Sequence, residues 1–154
     1  MSVLLVDTNI VSILFNRRHS LRQACIGAVA GHQLLISFMT RSELLLWPAA
    51  NNWGRLRRAA LEQHMALYLT VYPDERTCAI WAEVVDRCRR IGHRIQTADA
   101  WIASAARQWD CPLVSSTAKS ENSSLTILMQ RADREPAEWR DQPCNRQFRP
   151  CWQV

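Results

Sequence analysis

The stretch SVLLVDTNI, residues 2–10, sets the reading of the whole chain. Val3, Leu4, Leu5 and Val6 form an uninterrupted apolar run, β-branched or leucine throughout, which suits a strand covered on both faces in a parallel sheet. The run stops on a carboxylate, Asp7, followed at once by a hydroxyl and an amide, Thr8 and Asn9. An Asp in that place commonly caps the helix that follows, so the residue acquires chemical meaning only if other acids join it.

Working outward, Leu34–Ile36, the pair Leu69 and Val71, and Pro112–Val114 have the same strand-like character. Between them apolar residues recur at three- and four-residue intervals over 20–30, 42–47, 53–67, 74–90 and 98–109, the period of amphipathic helices. Pro73-Asp74 is a good helix entry, and Gly92 after Arg89 and Arg90 a good exit. Strands alternating with helices predict an α/β sandwich around a mostly parallel sheet. Sites in such folds form outside the carboxyl ends of the strands.

With 154 residues, 48% of them hydrophobic, the chain can bury one sizeable core. No apolar run approaches the roughly 18 residues of a membrane helix, and Asp7 interrupts the N-terminus where a signal peptide is uniformly apolar. The expectation is a soluble, cytoplasmic protein. Its cysteines (Cys25, Cys78, Cys88, Cys111, Cys144, Cys151) include no C-x-x-C pair, and its histidines (His19, His32, His64, His93) lie far from them and from each other. That spacing argues against zinc and for reduced thiols. The formal net charge is +5, with arginines clustered at Arg55, Arg57, Arg58 and at Arg87, Arg89, Arg90, Arg94. Such clusters suit a polyanion such as nucleic acid, or are simply solvated helix faces.

Three acids invite attention. Asp7 ends the first strand; Glu43 follows the second, in a helix that Thr40 or Ser42 can start, which puts Glu43 in its first turn. Both belong to the carboxyl edge of the sheet. Asp99 opens a helix that precedes its strand, and connectivity alone places it on the opposite edge. Each acid singly has an ordinary reading as a helix-start charge, worth about 0.3–1 kcal/mol.

Taken together, LLVDTNI (4–10), SFMTRSELLLW (37–47) and GHRIQTADAWIASAARQWDCPLVSST (92–117) resemble the PIN-domain ribonucleases, most closely the VapC-type toxins of toxin-antitoxin modules, in order and in spacing. The resemblance spans residues 2 to about 117. It implies a PIN-like α/β/α sandwich in which the third acid's helix is swung toward the other two. It also implies that Asp7, Glu43 and Asp99 hold Mg²⁺ or Mn²⁺, beside which a deprotonated water attacks RNA in line. Thr8 or Asn9 then hydrogen-bonds a carboxylate or the scissile phosphate, and Arg55, Arg57, Arg58 and Arg94 hold RNA phosphates. The implied partners are a small cognate antitoxin over the acidic groove and a second copy in a homodimer, with Trp47, Trp53 and Trp81 at its interface. One departure stands out: where relatives carry a further acid or amide after the fourth strand, this chain reads Ser115, Ser116, Thr117, with Thr117 at the acid position. A catalytically weakened PIN fold that only binds RNA or antitoxin is therefore a second reading. A receiver-like fold would need another acid beside Asp7 and a lysine after a late strand, for which only Lys119 offers itself.

The PIN-like domain is expected over 1–129. Beyond Val114 the apolar rhythm fades, leaving a short run at Leu125–Met129 and, from 130 to 154, a segment rich in Arg, Trp, Cys, Gln and Pro. That end reads either as the frameshifted translation of a GC-rich gene or as a lineage-specific extension.

Overall fold

The computed structural model describes residues 2–117 and 124–128, with the backbone alone for Thr117 and 124–128. In chain order the elements are β1 (Val3–Val6), α1 (Thr8–Phe15), α2 (Arg22–Val29), β2 (Gln33–Ser37), α3 (Phe38–Ala50), α4 (Arg55–Met65), β3 (Leu69–Val71), α5 (Glu75–Arg90), α6 (Thr97–Gln108), β4 (Leu113–Thr117) and β5 (Ser124–Leu128). The sheet order is β3-β2-β1-β4-β5. The first four strands run parallel and β5 is antiparallel to β4. Residues 118–123 and 129–154, including the expected atypical tail, lie outside the described residues.

β1 occupies the middle of the sheet because every one of its inner positions has an apolar partner layer. Successive side chains of a strand point to opposite faces. Leu4 and Val6 therefore join Ile36, Val114 and the apolar stripe of α1, with Leu44, Leu61 and Met65 behind it. Leu5 joins Leu35, Leu113 and the α6 residues Ile102, Ala105 and Ala106 on the other face. A third cluster, Ile80, Val84, Cys88 and Ala100, closes α5 onto α6. The α/β/α sandwich read from the sequence is the architecture observed.

Three local features differ from the sequence reading. The helix α1 falls on a stretch where the sequence reading offers only a helix cap at Asp7; with eight residues, about two turns, it buries Ile10, Val11, Ile13 and Leu14 on one side but is too short for the three- and four-residue spacing to repeat. The helix α3 starts at Phe38, because the Ser37 hydroxyl accepts from the Thr40 N–H and caps it directly at the end of β2. Glu43 consequently lies in the second turn, not the first. The same helix contains Pro48 in its last turn, where the missing N–H forgoes one backbone hydrogen bond.

The third difference concerns α6. A helix that feeds a strand at its amino end must finish at the amino edge of the sheet. At about 1.5 Å per residue its 12 residues span roughly 18 Å, close to the ~16 Å of the 5-residue β4. Running antiparallel to the strand, α6 begins back at the carboxyl edge. The expectation that Asp99 belongs to the opposite edge is therefore corrected by simple geometry, without any unusual swing of the helix.

Among the described cysteines, Cys25, Cys78 and Cys111 are free thiols. Among the described residues no helix is long and apolar enough to cross a membrane.

Candidate active site at the carboxyl edge of the sheet

Asp7 does two jobs at once. Its Oδ1 accepts from the Ile10 N–H at 2.8 Å, capping α1. Its Oδ2 accepts the hydroxyl of Ser115. The residue is only 8% exposed, and neither of the ion pairs among the described residues involves it. Burial pushes its carboxyl up to about 6, with a further push from the charge of Asp99, against the lowering effect of the Ser115 and backbone hydrogen bonds.

Glu43 is half-buried and takes a hydrogen bond from the hydroxyl of Thr8. Asp99 stands in the first turn of α6, raised above the usual carboxylate range first by desolvation and then by the charge of Glu43. The acids thus form a chain of neighbours: Asp7 feels Asp99, and Asp99 feels Glu43. Asn9 spans the remaining gap by donating from Nδ2 to the Ser116 carbonyl at 3.5 Å. Three consecutive residues, 7 to 9, therefore tie β1 to β4 and α3.

Among the described residues no group of three His, Cys, Asp or Glu is arranged to hold a metal ion, and the Thr8 hydroxyl occupies Glu43 instead. The donor chemistry nevertheless fits a hard divalent cation: carboxylate and hydroxyl oxygens, no nitrogen or sulfur, and no basic side chain among the described ion pairs to neutralise the acids. A cation would also remove the penalty that burial and mutual repulsion place on Asp7 and Asp99.

Ser115 is the site residue that sequence reasoning passed over. The signal was in the strand register: Val6 pairs with Val114, so the next residues of the two parallel strands, Asp7 and Ser115, stand side by side. Thr117 closes β4 at the same edge.

The predicted RNA-binding arginines are not brought together. Arg55, Arg57 and Arg58 open α4, on the face of the sheet that carries α1, whereas Arg94 precedes α6 on the other face. All four are exposed. Arg57 lies over the Trp53 ring, 3.9 Å from its centroid, and Arg58 Nε donates to the Trp53 carbonyl at 2.8 Å. The tryptophans expected at a dimer interface are engaged within the chain: Trp53 stacks on Phe15 and meets Trp47 edge-on, while Trp81 stacks on Trp101. An open cavity of about 620 Å³, lined by Phe15, Arg17, Trp47, Trp53 and Arg57 among others, lies at the far end of α1 from Asp7 and includes none of the acids.

A parallel sheet covered by helices on both faces, with Asp7, Asp99 and Glu43 electrostatically linked at its carboxyl edge, is the frame in which the chain's family can be read. The chain belongs to the PIN domain family, whose model matches residues 4–119. Its structure is similar to VapBC2 from Rickettsia felis bound to a DNA fragment from their promoter, with 18% identity and a TM-score of 0.65 over 73% of this chain and 86% of that one. It is also similar to FitAcB from Neisseria gonorrhoeae, with 26% identity and a TM-score of 0.63 over 71% and 84%. A third similar structure is VapBC-5 from Mycobacterium tuberculosis, a member of the VapBC family of toxin-antitoxin systems, with 19% identity and a TM-score of 0.54 over 73% and 83%. No curated protein matches the chain.

Proposed function

We propose that this protein is a metal-dependent endoribonuclease that acts as the toxin of a toxin-antitoxin pair, cutting RNA phosphodiesters with Mg²⁺ or Mn²⁺ held by Asp7, Glu43 and Asp99. The observation that carries the reading is the run of neighbouring carboxylates, without a basic partner among the described ion pairs, at the carboxyl edge of a PIN domain. When bound, the divalent ion supplies a nucleophile at neutral pH and positive charge for the reacting phosphoryl group. Asp7 contributes a rigid carboxylate whose orientation is set by α1 and β4, so little ordering cost accompanies ligation. Glu43 is presented by the Thr8 hydroxyl, and Asp99 by the start of α6. Arg55, Arg57, Arg58 and Arg94 are exposed cations for RNA phosphates, each weak alone and together salt-dependent.

The resemblance to chains in toxin-antitoxin complexes supports an antitoxin partner, and exposed Leu45, Leu46 and Leu56 offer apolar surface for a protein contact. A homodimer would draw on that surface rather than on Trp47 and Trp53, which pack internally. The second reading, a PIN fold that binds RNA or antitoxin without cutting, has one observation in its favour: β4 ends on Ser115, Ser116 and Thr117, with no acid among them.

Cleavage of a structured RNA by the purified protein separates the two. Cutting should appear with Mg²⁺ or Mn²⁺ and stop with excess EDTA; cutting that survives EDTA refutes metal dependence, and no cutting with either ion favours the binding-only reading. Thr117→Asp, which restores an acid at the carboxyl edge, should shift the metal-concentration dependence of cleavage several-fold lower. A curve that stays in place would show that position 117 does not reach the ion.

A further inference from the structure

We infer that Ser115 is a positioning residue of the acidic site, its hydroxyl holding Asp7 in the orientation that receives a divalent cation. The inference rests on the reading of Asp7, Glu43 and Asp99 as a metal site. It starts from the way Asp7 is held. One carboxylate oxygen is committed to the Ile10 N–H, which fixes the side chain about its cap but leaves the other oxygen to a second restraint. Ser115 provides that restraint from a different element, β4, through a side chain 108 residues away in sequence. Two donors from two directions define the plane of the carboxylate. One donor alone would leave it free to turn about the capping bond.

The backbone makes the Ser115 contact dependable. The Asp7 N–H donates to the Val114 carbonyl at 3.2 Å, and Val6 pairs in register with Val114. The Asn9 side chain then holds the Ser116 carbonyl. Residue 115 is thus flanked by a backbone tie from Asp7 to Val114 and a side-chain tie from Asn9 of α1 to Ser116, and cannot slide past Asp7. A hydroxyl suits the post because it donates to a carboxylate without adding charge: a lysine or arginine there would compete with the cation, and an acid would repel Asp7. Thr8 treats Glu43 in the same manner, so two of the three acids are each presented by one hydroxyl from a neighbouring strand end or helix start.

Groups that orient a ligand from outside the coordination sphere change metal affinity by about 10–100-fold when removed. The test is direct Mn²⁺ binding to the full chain, read by calorimetry or by the electron paramagnetic resonance of free Mn²⁺, for the parent, Ser115→Ala and Ser115→Thr. Far-ultraviolet circular dichroism and melting curves on the same samples confirm that each is folded. The expected result is that Ser115→Ala binds Mn²⁺ at least tenfold more weakly than the parent, while Ser115→Thr, which keeps the hydroxyl, restores most of the affinity. Equal binding by parent and Ser115→Ala overturns the positioning role and leaves the metal site intact. Equal loss in Ser115→Ala and Ser115→Thr also overturns it, because packing rather than the hydroxyl would then be at stake. A parent that binds no Mn²⁺ at millimolar concentration overturns the metal-site reading, and the role of Ser115 with it.

Discussion

In EDTA at pH 7.5, Asp7→Asn is expected to melt above the parent, although the parent carries the residue that the proposed chemistry requires. The carboxyl of Asp7 is raised from 3.8 to about 6, chiefly by burial. A shift of that size means the folded state disfavours the ionised form by about 3 kcal/mol. Because the folded value lies above the unfolded one, this cost is absent below about pH 4, develops between pH 4 and 6, and is complete above. Asparagine keeps the cap, since its amide oxygen accepts from the Ile10 N–H as well as aspartate does. Its amide nitrogen can donate to Ser115, whose hydroxyl turns from donor to acceptor. The gain in melting temperature should be on the order of 5–10 °C at pH 7.5 for a domain of this size, closing as the pH falls to 4. Saturating Mn²⁺ should reverse the order, because only the parent's carboxylate gains from the cation, and RNA cleavage by Asp7→Asn should fall below detection. Thermal melts from pH 4 to 8, with and without Mn²⁺, check each part. A variant that melts with or below the parent in EDTA would show that Asp7 is an ordinary, compensated cap.

Trp53→Ala should be strongly destabilising although Trp53 is only partly buried on the α4 side of the molecule. Trp53 stacks on Phe15 with ring centroids 5.9 Å apart, meets Trp47 at 6.1 Å and carries the Arg57 guanidinium on its face. Truncation removes the aromatic contacts, the cation–π contact and part of the packing against the α1 cluster. For a half-buried tryptophan these together amount to about 2–3 kcal/mol, enough to lower the melting temperature by several degrees. The loss should be the same at low and high protein concentration, because the contacts lie within one chain. A melting temperature that depends more strongly on concentration in the parent than in the variant would instead place Trp53 between copies.

How much of this was legible before folding can be followed residue by residue. The four apolar residues of β1 announced a strand covered on both faces, and Leu4, Leu5 and Val6 are indeed shared between two opposite layers. Helices α2, α4, α5 and α6 declared themselves because an exposed helix face must be polar, which imprints the 3.6-residue period. Helix α1 left a weaker imprint, since its eight residues make only about two turns and the period hardly repeats. Strand β5 was visible only as the short run at 125–129, because an added antiparallel edge strand needs little apolar content of its own. The candidacy of Asp7, Glu43 and Asp99 came from motif order rather than from periodicity, which is blind to chemistry.

The sequence by itself determined which residues are apolar, hence the layers, the parallel strands and the end of β1 at Asp7. Only the tertiary structure decided which side chains meet at that end. The parallel register of β1 and β4 set Ser115 beside Asp7, and the antiparallel run of α6 returned Asp99 to the same edge. The first is fixed by backbone hydrogen bonds between strands more than a hundred residues apart, the second by the length of α6 and its connection to β4, and no local pattern around residue 7 encodes either.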